Sequence, residues 1–212
     1  HAPFDPSHLD SCILAAAAWD LPLFVRIAGA APEAILAALD MGATGILAPH
    51  VDSAAKAQAI AVAARYAGAG RGFSPSTRAG RYGLNPLDTH MSAADAKVLV
   101  VAQIEDRQAL EEIDAIAATP GIDALFVGRA DLAASIGCAW DDPRLDDATV
   151  RSAKSAHRAG KVCGAYAGDV DQGRRLLGFG LDFLIAGSDQ GSLRREADRL
   201  VFALADASGV TA

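Results

Sequence analysis

Short apolar runs rich in β-branched residues alternate with helix-spaced segments along almost the whole chain, and two successive runs lead into acidic residues. Val98-Leu99-Val100-Val101-Ala102 runs into Gln103-Ile104-Glu105, and Ala124-Leu125-Phe126-Val127 runs into Gly128-Arg129-Ala130-Asp131-Leu132. Runs of this length, bounded by polar or Gly/Pro signals, read as buried parallel strands. Between them, Arg107 to Thr119 places Ala109, Leu110, Ile113, Ile116 and Ala117 at helical spacing. A strand–helix–strand unit makes its strands parallel, so their carboxyl ends share one rim. Glu105 and Asp131 are therefore expected side by side on the rim where α/β barrels carry out their chemistry. Two acids so placed serve as a general acid/base pair or as two ligands of a hard divalent cation. Helix capping explains a lone strand-end acid equally well. Recurrence in successive units favours a site.

The same alternation predicts strands over 21–27, 44–51, 97–105, 123–128, 162–166 and 182–186. Helices are expected over 6–19, 32–41, 53–67, 107–119, 146–159, 170–179 and 192–207, with a short helical turn after Asp131. Gly68 to Ala93 is the longest irregular stretch and carries Arg71, Arg78, Arg81 and Tyr82; loops of that length are usually functional or mobile. No composition break divides the chain, so one domain over 1–212 is expected. Six strands do not close an eight-stranded barrel. An open doubly wound sheet, however, would need a Gly-rich phosphate loop, and none follows any strand. The expected fold is α/β, a TIM (β/α)8 barrel whose first strands lie outside this sequence.

The chain has 212 residues, half of them apolar, enough for a large core. A net charge of −7 without a Lys/Arg cluster argues against a nucleic-acid partner. No apolar run reaches membrane-spanning length and no signal-peptide pattern is present, so a cytoplasmic location without membrane contact is expected. Cys12, Cys138 and Cys163 lie far apart without metal-ligand spacing and read as reduced thiols.

His1-Ala2-Pro3, the strand-end Arg26, Asp40-Met41-Gly42, Arg71-Gly72, Gln103-Ile104-Glu105, Gly128 to Leu132, Gly164 and Gly187-Ser188-Asp189 together carry a likeness. In these motifs the chain resembles, over essentially its whole length, the HpcH/HpaI family of metal-dependent, pyruvate-specific aldolases. The resemblance implies a barrel of the phosphoenolpyruvate/pyruvate type lacking about two strands and a helix, roughly 40 residues by barrel layout. It implies that Glu105 and Asp131 bind Mg²⁺, Mn²⁺ or Co²⁺, which stabilises charge on the keto oxygen of pyruvate as its enolate forms. The reaction implied makes or cleaves a carbon–carbon bond between pyruvate and an aldehyde, with a 4-hydroxy-2-oxo acid as the joined compound, in aromatic or sugar-acid catabolism. His1 and Asp40 match the family's proton-transfer pair, and Gly128 and Ala130 stand at its substrate. The resemblance also implies a homo-oligomer, a hexamer built as a trimer of dimers, with residues 190–212 at a subunit interface.

Residue chemistry fits these roles. Arg26 can direct its fork at an oxygen where negative charge develops. Gln103 shares a strand face with Glu105 and can reach a metal water or the keto oxygen. The backbone N–H groups of Ala130 and Asp131 suit a substrate carboxylate. Lys97 and Lys161 sit at strand starts, on the wrong rim for imine chemistry. Three places depart from the family, one being Gly29-Ala30-Ala31, where members commonly carry Trp-Asn-Asp after the strand-end arginine. Arg129 replaces a common proline and adds a cation suited to an anionic acceptor, and Tyr166 replaces an apolar substrate contact. The rival readings are an acyl-CoA lyase related to the citrate lyase β-subunit or malyl-CoA lyase, and a non-catalytic barrel.

Overall fold

The computed structural model describes residues 4–208. Six strands pair in sequence order, every pair parallel: β1 (Phe24–Arg26), β2 (Gly45–Ala48), β3 (Leu99–Ile104), β4 (Ala124–Val127), β5 (Val162–Ala167) and β6 (Phe183–Ala186). Ten α-helices are distributed around them: α1 (Pro6–Ala18) before β1, then α2 (Pro32–Asp40), α3 (Ala54–Ala63), α4 (Leu87–Lys97), α5 (Arg107–Glu111), α6 (Ile113–Ala118), α7 (Arg129–Ile136), α8 (Pro143–Arg158), α9 (Val170–Gly178) and α10 (Asp189–Ser208). Local chemistry marks their ends. Pro6 and Pro143 stand at the starts of α1 and α8, where Asp5 and Asp142 accept backbone N–H bonds, and Asp169 does the same for α9. Gly137, at φ 67°, closes α7 in the left-handed conformation.

Strand alternation separates two faces. Ile46, Ala48, Val100, Ala102, Ile104, Leu125, Val127, Cys163 and Ala165 join the helix-packed core. Leu47, Val101, Ala124 and Phe126 cluster on the other face with Phe183, lining an apolar cavity of about 350 Å3. Gly164 is required there, because a Cβ would stand 2.4 Å from the Phe183 ring. The sheet thus curls as a half-barrel, and β1 and β6 do not meet. A closed eight-stranded barrel is not formed by these six strands.

Two expectations change. The irregular stretch is shorter than 68–93, because α4 begins at Leu87; polar His90, Ser92 and Asp95 hide its periodicity, and Pro86 supplies its start. The helix expected over 107–119 is two pieces, α5 and α6. Glu112 leaves helical geometry between them, and its carboxylate accepts the Ala54 N–H at 2.9 Å. No helix among the described residues is long and apolar enough to cross a membrane.

Cys163 is fully buried in the core, and burial pushes its thiol up to about 12, whereas Cys12 is exposed. In the native protein Cys12 should react with a disulfide reagent and Cys163 should react only after denaturant is added, as mass-mapped labelling would show.

Candidate active site

Parallel register brings the ends of β1, β3 and β4 to one rim. β3 continues past Ile104 into Glu105, which is wholly buried. Its carboxylate is held from two sides. Gln103 Nε2 donates to Glu105 Oε2 at 2.5 Å, and the His50 backbone N–H donates to Oε1 at 2.8 Å. Gln103 is fixed in turn, since its Oε1 accepts from Arg26 Nε at 3.1 Å. Arg26, Gln103 and Glu105 therefore form one hydrogen-bonded chain across β1 and β3.

His50 reaches Glu105 because the chain turns sharply after β2: Pro49 is buried and His50 adopts φ 53°, a left-handed backbone uncommon for a non-glycine residue. Its ring is half-exposed, with Nδ1 at 3.1 Å from Asp106 Oδ2 and 3.4 Å from Glu105 Oε1. Burial raises the Glu105 pKa; the His50 N–H and ring oppose this, the nearby Asp131 carboxylate adds to it, and Arg26 opposes it weakly.

β4 ends at Val127, and after Gly128 α7 begins at once, placing the exposed Asp131 in its first turn. No side chain caps α7, so its first N–H groups, including those of Ala130 and Asp131, are open to a ligand. Gly128 matters sterically: a Cβ there would stand 2.7 Å from both Glu105 Oε2 and Gln103 Nε2. Tyr166, near the end of β5 and partly exposed, lies on the same strand face as Gly164.

The donor set fits a hard divalent cation. Glu105 and Asp131 supply carboxylate oxygens, one held by two donors and one at a helix start, and the missing Cβ at Gly128 lets Glu105 and Gln103 pack against the start of α7. Among the described residues no group of three His, Cys, Asp or Glu side chains forms a closed metal cage. Two protein ligands leave most octahedral positions for water and substrate.

A model of the HpcH/HpaI aldolase/citrate lyase family matches residues 2–196. The chain belongs to the HpcH/HpaI aldolase/citrate lyase family. It is 34% identical over 198 residues to a hydroxypyruvate/pyruvate aldolase of Paraburkholderia phytofirmans, covering 89% of this chain and 75% of that protein. It is 36% identical over 203 residues to a 4-hydroxy-2-oxovalerate aldolase of Rhodococcus jostii, covering 94% and 78%. A solved HpcH/HpaI aldolase/citrate lyase family protein from Burkholderia cenocepacia superposes with a TM-score of 0.90 at 30% identity, covering 96% of this chain and 82% of that one. As an HpcH/HpaI member, the chain is a carbon–carbon lyase.

Two expected site residues, Asp40 and Arg129, do not join this rim, and a third is not described. His1 lies outside the described residues. Asp40 is the last residue of α2, which descends from the end of β1 to the start of β2. The span from Leu99 to Glu105 puts about 20 Å between the two rims, and Asp40 is instead paired with buried Arg71 at 2.6 Å. Arg129 also turns away. Its guanidinium is buried against α8, with Asp146 Oδ1 at 2.9 Å and Thr149 Oγ1 at 2.6 Å, and lies over the Trp140 ring. It is a packing cation and does not meet an anionic acceptor. Arg129→Met should therefore cost on the order of 3 kcal/mol in urea unfolding, with the KM for pyruvate of the folded enzyme unchanged. Conversely, the His50 N–H on Glu105 and Asp106 beside the His50 ring belong to no side-chain motif of the sequence. The Pro49-His50 strand break was the available signal.

Proposed function

We propose that this chain is a divalent-metal-dependent aldolase that joins pyruvate to an aldehyde or cleaves the resulting 4-hydroxy-2-oxo acid. The observation that carries this reading is the buried Glu105, held by Gln103 and His50 and close enough to Asp131 at the start of α7 to feel its charge. Glu105 and Asp131 would hold the cation, which would supply Lewis-acid stabilisation of negative charge on the pyruvate keto oxygen. The free N–H groups at the start of α7 orient the substrate carboxylate. Arg26 uses Nε on Gln103, which leaves its Nη groups for the oxygen where charge develops. Tyr166 borders the acceptor side. His1, which lies outside the described residues, is the proposed proton acceptor. Names of the relatives support pyruvate as the nucleophile.

Incubation with a 4-hydroxy-2-oxo acid and Mn²⁺ should release pyruvate, and chelator should stop it. Cleavage of an acyl-CoA with no turnover of the free oxo acid would overturn the reading.

Support for a homo-oligomer comes from α10, on which Leu193, Leu200, Val201, Phe202 and Leu204 are all exposed in the single chain. We propose that a second copy covers this stripe. Sedimentation should show an oligomer that Leu200→Glu together with Leu204→Glu shifts toward monomer.

A further inference from the structure

At the opposite end of the sheet, where β2 and β3 begin, the end of α2, the 71–85 segment and α4 enclose a cavity of about 560 Å3. Arg71, Arg81, His90 and Lys97 line it, and no acidic residue is among the lining residues described. That is a local excess of cations in a chain of net charge −7. Arg71 and His90 are each 94% buried, from relative exposures of 6%. Arg71 keeps one Nη on Asp40 and stacks 4.5 Å above the Tyr66 ring, but its Nε has no partner, and neither has His90 Nε2. Buried polar nitrogens without partners are rare. Among the described residues, the side chains of Arg81 and Lys97, both exposed, have no hydrogen-bond or ion-pair partner either.

We propose that this cavity binds a small dianion, a phosphate or a dicarboxylate, with Arg81 and Lys97 at its mouth and Arg71 and His90 behind. Its volume suits a small molecule. The lining offers no Phe, Tyr or Trp on which a nucleobase could stack, and Leu39, Val98 and Ala94 supply low-dielectric walls that strengthen the attraction. Because Arg81 belongs to the irregular segment and Lys97 ends α4, one dianion between them ties that segment to the helix. The site is separate from the candidate active site, on the other rim of the sheet.

Calorimetric titration of the full chain with inorganic phosphate, and separately with malonate, tests this in the presence of chelator. One anion should bind per chain. Arg81→Gln and Lys97→Gln should each weaken it ~10-fold, since a charged hydrogen bond is lost, and the double variant should abolish it. Glu105→Gln should titrate like the parent, and the bound anion should slow tryptic cleavage after Arg81. Binding of only one probe supports the site and names its source, phosphate or carboxylate. Absence of binding by both anions, or parental affinity in the double variant, overturns it.

Discussion

Glu105→Gln is expected to remain folded and to lose metal-dependent turnover by on the order of 10³, because several kcal/mol of charge stabilisation go with the cation. The substitution is nearly isosteric, so the packing of β3 against β4 is preserved. An amide oxygen can still accept from Gln103 Nε2, but the amide nitrogen then faces the His50 N–H, donor against donor. That conflict costs about 1–3 kcal/mol, and removing a buried charge offsets part of it. Steady-state kinetics at saturating Mn²⁺, alongside a urea melt, separates the two effects. A variant that keeps parental turnover would remove Glu105 from the site.

Gly128→Ala should be nearly as damaging, for a different reason. Gly128 has φ −80°, so an alanine suits the backbone there. The whole effect is steric: the new Cβ would stand 2.7 Å from Glu105 Oε2 and from Gln103 Nε2, and 2.9 Å from Glu105 Cβ. Neither side chain can swing aside, because Gln103 and Glu105 are buried and bonded to each other, to Arg26 and to the His50 N–H. We expect Mn²⁺ affinity to fall ~10–100-fold, the scale seen when the groups supporting a metal ligand are disturbed. Gly137→Ala is the control. It meets no atom within 4 Å but sits at φ 67°, so it should cost ~1–2 kcal/mol of stability and leave Mn²⁺ binding alone. Calorimetric titration of both variants reads the contrast.

The rim that carries Glu105, Gln103, Arg26 and Gly128 was legible in the sequence because strand alternation and the parallel βα unit are both short-range patterns. Every predicted strand is present, most of them shorter than their apolar runs. Helix α4 was hidden, since its polar residues interrupt the apolar period and its start is a proline without a side-chain cap. The direction of Arg129 depends on α8, whose Asp146 and Thr149 draw the guanidinium away, and no local pattern reports that. Asp40 is instructive in the opposite sense. A residue that ends a helix between parallel strands belongs to the strand-start rim, so topology alone separates it from Glu105. The motif match carried it to the site regardless. His50 contributes a backbone N–H, which no side-chain motif can reveal.

The most direct test follows the methyl protons of pyruvate by NMR in D2O, with no aldehyde present. With the parent protein and Mg²⁺, the methyl signal should be lost to deuterium exchange. Chelator, Glu105→Gln and Asp131→Asn should each hold exchange at the uncatalysed rate. Exchange that persists unchanged in the folded double variant with chelator present would contradict a cation held between these two carboxylates.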